Sequence, residues 1–252
     1  MAKMRVAMAG LSMVRSAAAQ DRPGPDPKDT EVWTPEPRIV APGTTSTAPS
    51  DAIVLFGGTD LGEWVSVTSP GKPADWIVGG GILTVRGGSG AIQTRRLFTD
   101  YQIHLEWRVP ASSAGRGQGR GNSGLFLAST GKGSGYELQI LDCAGNKTYA
   151  NGQAASIYKQ HIPLVNACAP SGEWQRYDVI WTAPRFSADG ALVTPAHVTA
   201  LHNGVVVQNH VALQGESVYT GKPSYRMHGP APLKLQDHGD AVSFRNIWVR
   251  PL

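Results

Sequence analysis

Residues 120–158 read RGNSGLFLASTGKGSGYELQILDCAGNKTYANGQAASIY, and the fold is decided there. Two short apolar runs, 125–128 and 136–141, are bounded by Gly, Ser and Asn and alternate in polarity, the pattern of β-strands in a half-buried sheet. In the second run the period of two sends Leu138 and Ile140 to one face and Glu137 and Gln139 to the other. A carboxyl and an amide therefore project side by side. Asp142 has the wrong parity to join them unless a β-bulge intervenes.

Outward from this stretch, the chain repeats the pattern. Residues 101–109 (YQIHLEWRV) alternate most cleanly: Tyr101, Ile103, Leu105, Trp107 and Val109 on a core face, Gln102, His104, Glu106 and Arg108 on the other. That polar face is either solvated or lines a groove with Glu137 and Gln139. Strands are also expected at 53–56, on both sides of Gly79-Gly80-Gly81, at 91–94, within 172–181, at 233–239 and at 242–249. Asn203-Gly204 between two apolar runs is the strongest hairpin signal. The tryptophans read as core, with Trp64 and Trp76 the alternatives for stacking on a bound ring. With 30 Gly and 18 Pro in 252 residues, little helical periodicity and no repeat of 20–50 residues, the expected fold is all-β: a two-sheet antiparallel jelly-roll sandwich.

The apolar fraction of 41 % supports one large core. The net charge of +4 comes from dispersed basic residues, which argues against a nucleic-acid surface. The Gly-rich loop around Arg116 and Arg120 lacks the Gly-Lys-Ser/Thr of a phosphate cradle. No apolar run reaches the roughly 18 residues of a membrane span. Residues 1–20 have the layout of a secretory signal, with Lys3 and Arg5 before a weakly apolar stretch and Ala17-Ala18-Ala19 before Gln20. Arg15 interrupts it, so a disordered N-terminus is the alternative. Residues 21–50, rich in Pro, Ser and Thr, are expected to form an arm that Trp33 and Ile39-Val40 pin, ahead of a single domain at 51–252. In an exported, periplasmic or extracellular protein, Cys143 and Cys168 would form a disulfide; in a cytosolic one they would be free thiols.

The segments LFGGTDLGEW, IQTRRLFTDYQIHLEWRVP, GQGRGNSGLFL, YELQILD, NKTYANGQAASIYKQHIPLVNA, GEWQRYDVIW, LHNGVVVQNH and LQDHGDAVSFRNIWVRPL, in order over about residues 51–252, together resemble the 3-keto-disaccharide hydrolase-like family. The resemblance implies a concanavalin-A-like jelly roll in bacterial carbohydrate breakdown, acting on glycosides already oxidised to a ketone at C3. Such a ketone acidifies the C2 hydrogen, so a base can remove it and the C1 substituent departs by elimination, with net hydrolysis if water adds later. The chemistry needs a base, a group that holds the enolate, and an acid. The candidates are Glu137 or Asp142 as base, His238 or His161 as acid/base partner, and Lys159 and Arg120 as cations. Gln139, Asn122 and Glu106 are expected to hold sugar hydroxyls. Asp237 and Arg245 are further substrate-binding candidates, against a turn role for Asp237 and a carboxylate-pairing role for Arg245.

Two rival readings stand. Glu137-Leu138-Gln139-Ile140-Leu141-Asp142 echoes the two-acid strand of retaining β-glucanases of the laminarinase and lichenase type, imperfectly, since Gln139 replaces the middle acid and Asp142 the second Glu. The other rival is a lectin-like sugar-binding module without a base. No cofactor is indicated with certainty; a divalent metal on Asp142, Glu137 and His161 is an option without a diagnostic spacing. The oligomeric state is not legible.

Overall fold

The computed structural model describes residues 24–44, 46–131 and 133–252; the secretory-signal stretch lies outside them. The chain divides into two compact units, one ending at Ile39 and one running from Val40 to Leu252. In the first, Pro27–Thr30 forms a 3-10 turn whose N-terminus is capped by Asp26. Of the residues expected to pin the arm, Trp33 and Ile39 are 79 % and 96 % exposed. Val40 is half-buried.

Among its described residues the second unit has fifteen strands: β1 (Ile53–Phe56), β2 (Trp64–Ser66), β3 (Ile77–Gly79), β4 (Ile82–Thr84), β5 (Ile92–Thr94), β6 (Tyr101–Arg108), β7 (Ser123–Phe126), β8 (Glu137–Ile140), β9 (Gln175–Thr182), β10 (Arg185–Phe186), β11 (Leu192–Thr194), β12 (His197–His202), β13 (Val205–Ala212), β14 (Lys234–Leu235) and β15 (Ser243–Pro251). They form a two-sheet antiparallel jelly-roll sandwich. The larger sheet runs β13-β12-β9-β6-β15-β4-β3, with β1 on β15; the smaller runs β2-β5-β14-β7-β8; β10 and β11 make a separate hairpin. The glycine turn after β3 places Gly80 and Gly81 at φ 59° and 79°, a region glycine enters without steric cost. The expected strand at 233–239 shrinks to two residues, and β10–β11 were not anticipated.

Alternation explains the core. Tyr101, Ile103, Leu105 and Trp107 of β6 and Tyr177, Val179 and Trp181 of β9 face Ile92, Leu125, Leu138, Ile140 and Leu235 of the smaller sheet, none more than 1 % exposed. Burying a side chain of this size contributes about 1.5–3 kcal/mol, so each inward position fixes register strongly. Trp64 and Trp76 belong to this core, not to a sugar platform. Two hydroxyls tie the layers together: Tyr177 donates to the Gln139 carbonyl (2.8 Å) and Tyr101 to that of Leu127. β8 is thus held from beneath by hydrophobic packing and by a hydrogen bond.

Cys143 and Cys168 form a disulfide with Cα atoms 6.1 Å apart and 25 residues between them in sequence. Closing a loop of that length restricts the unfolded chain by about 3 kcal/mol. The double variant C143S/C168S is therefore expected to lose about that much unfolding free energy in denaturant titration, and added reductant to destabilise the wild type alone.

Candidate active site

β7 and β8 are buried along their whole length, on both faces. Their pairing runs from Ser123↔Ile140 to Phe126↔Glu137 without a shift. On the face away from the core, one row of side chains across the sheet is Glu137, Phe126, Lys234, Gln93 and Val65. The next row holds Gln139 opposite Gly124, whose carbonyl accepts from Gln236 N.

Two further segments wall this face. Residues 155–158 run beside β8, with Ala155 N donating to Gln139 O and Tyr158 N to Glu137 O, which brings the Tyr158 ring level with Glu137. The loop at 215–219 is fixed to the strand by Glu137 N donating to Ser217 Oγ (3.0 Å). Between them lies a groove of about 470 Å³ lined by Glu137, Gln139, Asn122, Gln236, His238 and Tyr158, among others.

Glu137 is 6 % exposed, and among the described residues nothing makes a hydrogen bond or ion pair with its carboxyl. Burial pushes its pKa up to about 8, partly opposed by the nearby Lys234 ammonium. Lys234 lies over the Phe126 ring (3.6 Å to the centroid) and donates to Ser134 O. Burial lowers its pKa to about 8, against the attraction of Glu137 and Glu216. Tyr158 shares a hydrogen bond with Tyr149 (2.7 Å); burial, that bond and the nearby acid keep its phenol protonated far above the usual range. Asn122 and Gln139 order each other: Gln139 Nε2 donates to Asn122 Oδ1 (2.9 Å) and Asn122 Nδ2 to Gln118 O. Gln236 Oε1 is buried with no hydrogen-bond partner among the described residues, a cost of about 1–3 kcal/mol that a donor in the groove would relieve.

The expected site residues divide. Glu137, Gln139, Asn122 and His238 share the groove. Lys159 stands in an adjoining recess with Tyr149 and Tyr219, its Nζ 4.2 Å from the Tyr219 ring centroid. The rest lie elsewhere. No bulge turns Asp142 onto the groove face: its carboxylate pairs with Arg120 (2.8 Å) and accepts from Ser171 (2.7 Å), so the cation expected of Arg120 is neutralised beside it. His161 Nε2 donates to Ala212 O. Asp237 holds a turn, accepting from Gly90 N and Gly239 N.

Glu106 and Arg245 are on the larger sheet, with the core between them and Glu137. They bond each other (Arg245 Nε to Oε2, 2.7 Å), and Asn246 donates to the other carboxylate oxygen. A wider cleft of about 910 Å³ opens there, lined also by Trp174, Arg176 and Asn203. Its buried acid is already neutralised, whereas the Glu137 carboxyl is not. No three His, Cys, Asp or Glu converge on a metal-sized site among the described residues, so Asp142, Glu137 and His161 are not gathered as ligands.

Tyr158 and Lys234 were missed. The alternation Leu233-Lys234-Leu235-Gln236 carried the signal for Lys234; Tyr158 is aligned by a backbone pairing that no local pattern announces.

The family model for the 3-keto-alpha-glucoside-1,2-lyase-like domain matches residues 51–250. The chain belongs to this family. A crystal structure of a candidate glycosyl hydrolase from Parabacteroides distasonis ATCC 8503 is 48 % identical, with a TM-score of 0.84, covering 90 % of this chain and 97 % of that one. Two others with the same description, from the same organism, share the fold at 22 % and 20 % identity: TM-scores are 0.59 and 0.56, both cover 80 % of this chain, and they cover 94 % and 99 % of their own lengths. Among curated proteins none matches the chain.

A carboxyl whose folded pKa is raised contributes full stability below about pH 4.5 and loses it as pH rises through about 8. Glu137→Gln, neutral throughout, should match the wild type near pH 4 and exceed it above pH 8 by a margin on the order of 4 kcal/mol, read from denaturant midpoints across pH. Asp142→Ala, which strands the Arg120 charge, should cost about 3 kcal/mol at pH 7 by the same measurement.

Proposed function

We propose that this protein cleaves 3-keto-glycosides by elimination across C1 and C2. The observation that carries the reading is Glu137: an unpaired carboxyl, the only acid lining the groove among the described residues, with its pKa drawn to about 8. A base poised near neutrality suits removal of a proton made acidic by a ketone. Membership of a family described as 3-keto-alpha-glucoside-1,2-lyase-like supports taking that proton to be the one on C2.

In this mechanism the Glu137 carboxylate takes the C2 hydrogen as a proton. The electron pair of the C2–H bond spreads onto the C3 oxygen, which receives a hydrogen bond from His238. The pair then forms a C1–C2 double bond as the C1–O bond breaks, and the departing oxygen collects its proton from the Tyr158 phenol. The products are an unsaturated keto-sugar and the free alcohol; water added across the double bond would make the sum a hydrolysis. Tyr158 ends as phenolate beside protonated Glu137, and return of that proton resets both groups. Asn122, Gln139 and Gln236 hold ring hydroxyls, the orphaned Gln236 oxygen accepting from one of them. Lys234 does not line the groove; its charge keeps Glu137 ionisable within reach of neutral pH.

A retaining glucanase needs a second carboxyl about 5–5.5 Å from the first, and the groove supplies none among the described residues. The disulfide suits an oxidising compartment, so the site of action we propose is periplasmic or extracellular.

The test is incubation with a 3-keto-disaccharide and with the same sugar unoxidised. Turnover of the keto-sugar alone is expected, and Glu137→Gln should lower kcat by about 10²–10⁴-fold with binding nearly unchanged. Cleavage of the unoxidised sugar alone would overturn the proposal, and binding without turnover of either would favour a lectin. Because the base acts ionised and Lys234 assists as a cation, kcat/KM should trace a bell centred near pH 8.

A further inference from the structure

Gly124 sits in the middle of β7, where a glycine weakens a strand by about 0.5–1 kcal/mol relative to alanine. Its backbone does not demand glycine: it is not among the residues with positive φ. The reason lies above it. A Cβ built on Gly124 would fall 2.4 Å from Glu137 Oε1, 3.1 Å from Cδ and 3.2 Å from Cγ, and those are its three nearest neighbours.

In register, Gly124 pairs with Gln139, not with Glu137, whose direct partner is Phe126. The Glu137 carboxyl therefore lies diagonally, off the row of Phe126 and Lys234 and over the bare strand at Gly124. Gln139 leaves this slot open because its own amide is drawn to Asn122.

We propose that Gly124 is a positioning residue: its missing side chain is the slot that sets where the Glu137 carboxyl stands, and so where the base meets the sugar. The inference rests on Glu137 acting as the base in the reaction above. Adding a methyl here collides with the far end of a flexible side chain, not with backbone. The fold can accept Gly124→Ala by rotating Glu137 out of the slot, so stability and activity should separate.

Gly124→Ala is expected to keep the wild-type melting temperature within a few degrees and to lower kcat on a 3-keto-disaccharide about 10²-fold, the cost of a misplacement near 1 Å, with KM little changed. Moved toward water, the carboxyl should titrate lower, and the acid limb of the pH profile should shift down with it. The Glu137 titration followed by carboxyl NMR gives the same shift without any turnover, so it tests the slot even if the keto-sugar proves not to be the substrate. In Gly124→Ala/Glu137→Asp the shorter acid makes room for the methyl, and the added loss on a Gly124→Ala background should be smaller than the loss Glu137→Asp causes alone. Unchanged kcat and an unchanged Glu137 titration in Gly124→Ala would overturn the inference, as would loss of the fold.

Discussion

Burial of β8 on both faces is the constraint from which the site follows. Leu138 and Ile140 are sealed into the core, and Tyr177 ties the strand's backbone to the opposite sheet. Glu137 and Gln139 are consequently held out on the other face, where 155–158 and 215–219 cover them. A carboxyl so covered cannot keep its full hydration, and the protonated form gains. Lys234 opposes this only in part, because burial penalises its own charge too. The raised pKa of Glu137 is thus a product of the sandwich and not of one neighbour.

Buried acids are handled in two ways. On the larger sheet the Glu106 charge is neutralised by Arg245, with Asn246 donating to its other oxygen; past the end of β8 and off the groove face, Asp142 is neutralised by Arg120. These pairs satisfy buried charge, and removing one member would strand the other. Glu137 alone of the three has no such pair. Cavity size points the other way, since the wider cleft lies over Glu106, but chemistry requires a group free to change its protonation state.

Alternation made most of this legible. The faces of 136–141 and 101–109 follow from a period of two, and the core residues emerged from it. The disulfide followed from two cysteines and an expected compartment. What alternation leaves open is which outward faces share a sheet: Glu106 and Glu137 are both outward, yet β6 and β8 belong to different layers. Asp142 was assigned the right parity, and the unshifted register of β7 and β8 removes the bulge that would have reversed it. Tyr158 depended on a chain segment returning to lie along β8, and the emptiness at Gly124 on a side chain leaning diagonally. Both are tertiary facts with no trace in local pattern.

The covalent link between Cys143 and Cys168 encloses the segment that supplies Tyr149, Tyr158 and Lys159. The crosslink therefore does more than raise the melting point: it limits how far one bank of the groove can swing from the acid it faces. A chain that matured without oxidation would keep its two sheets, which owe nothing to sulfur, yet hold its aromatic bank on a longer tether.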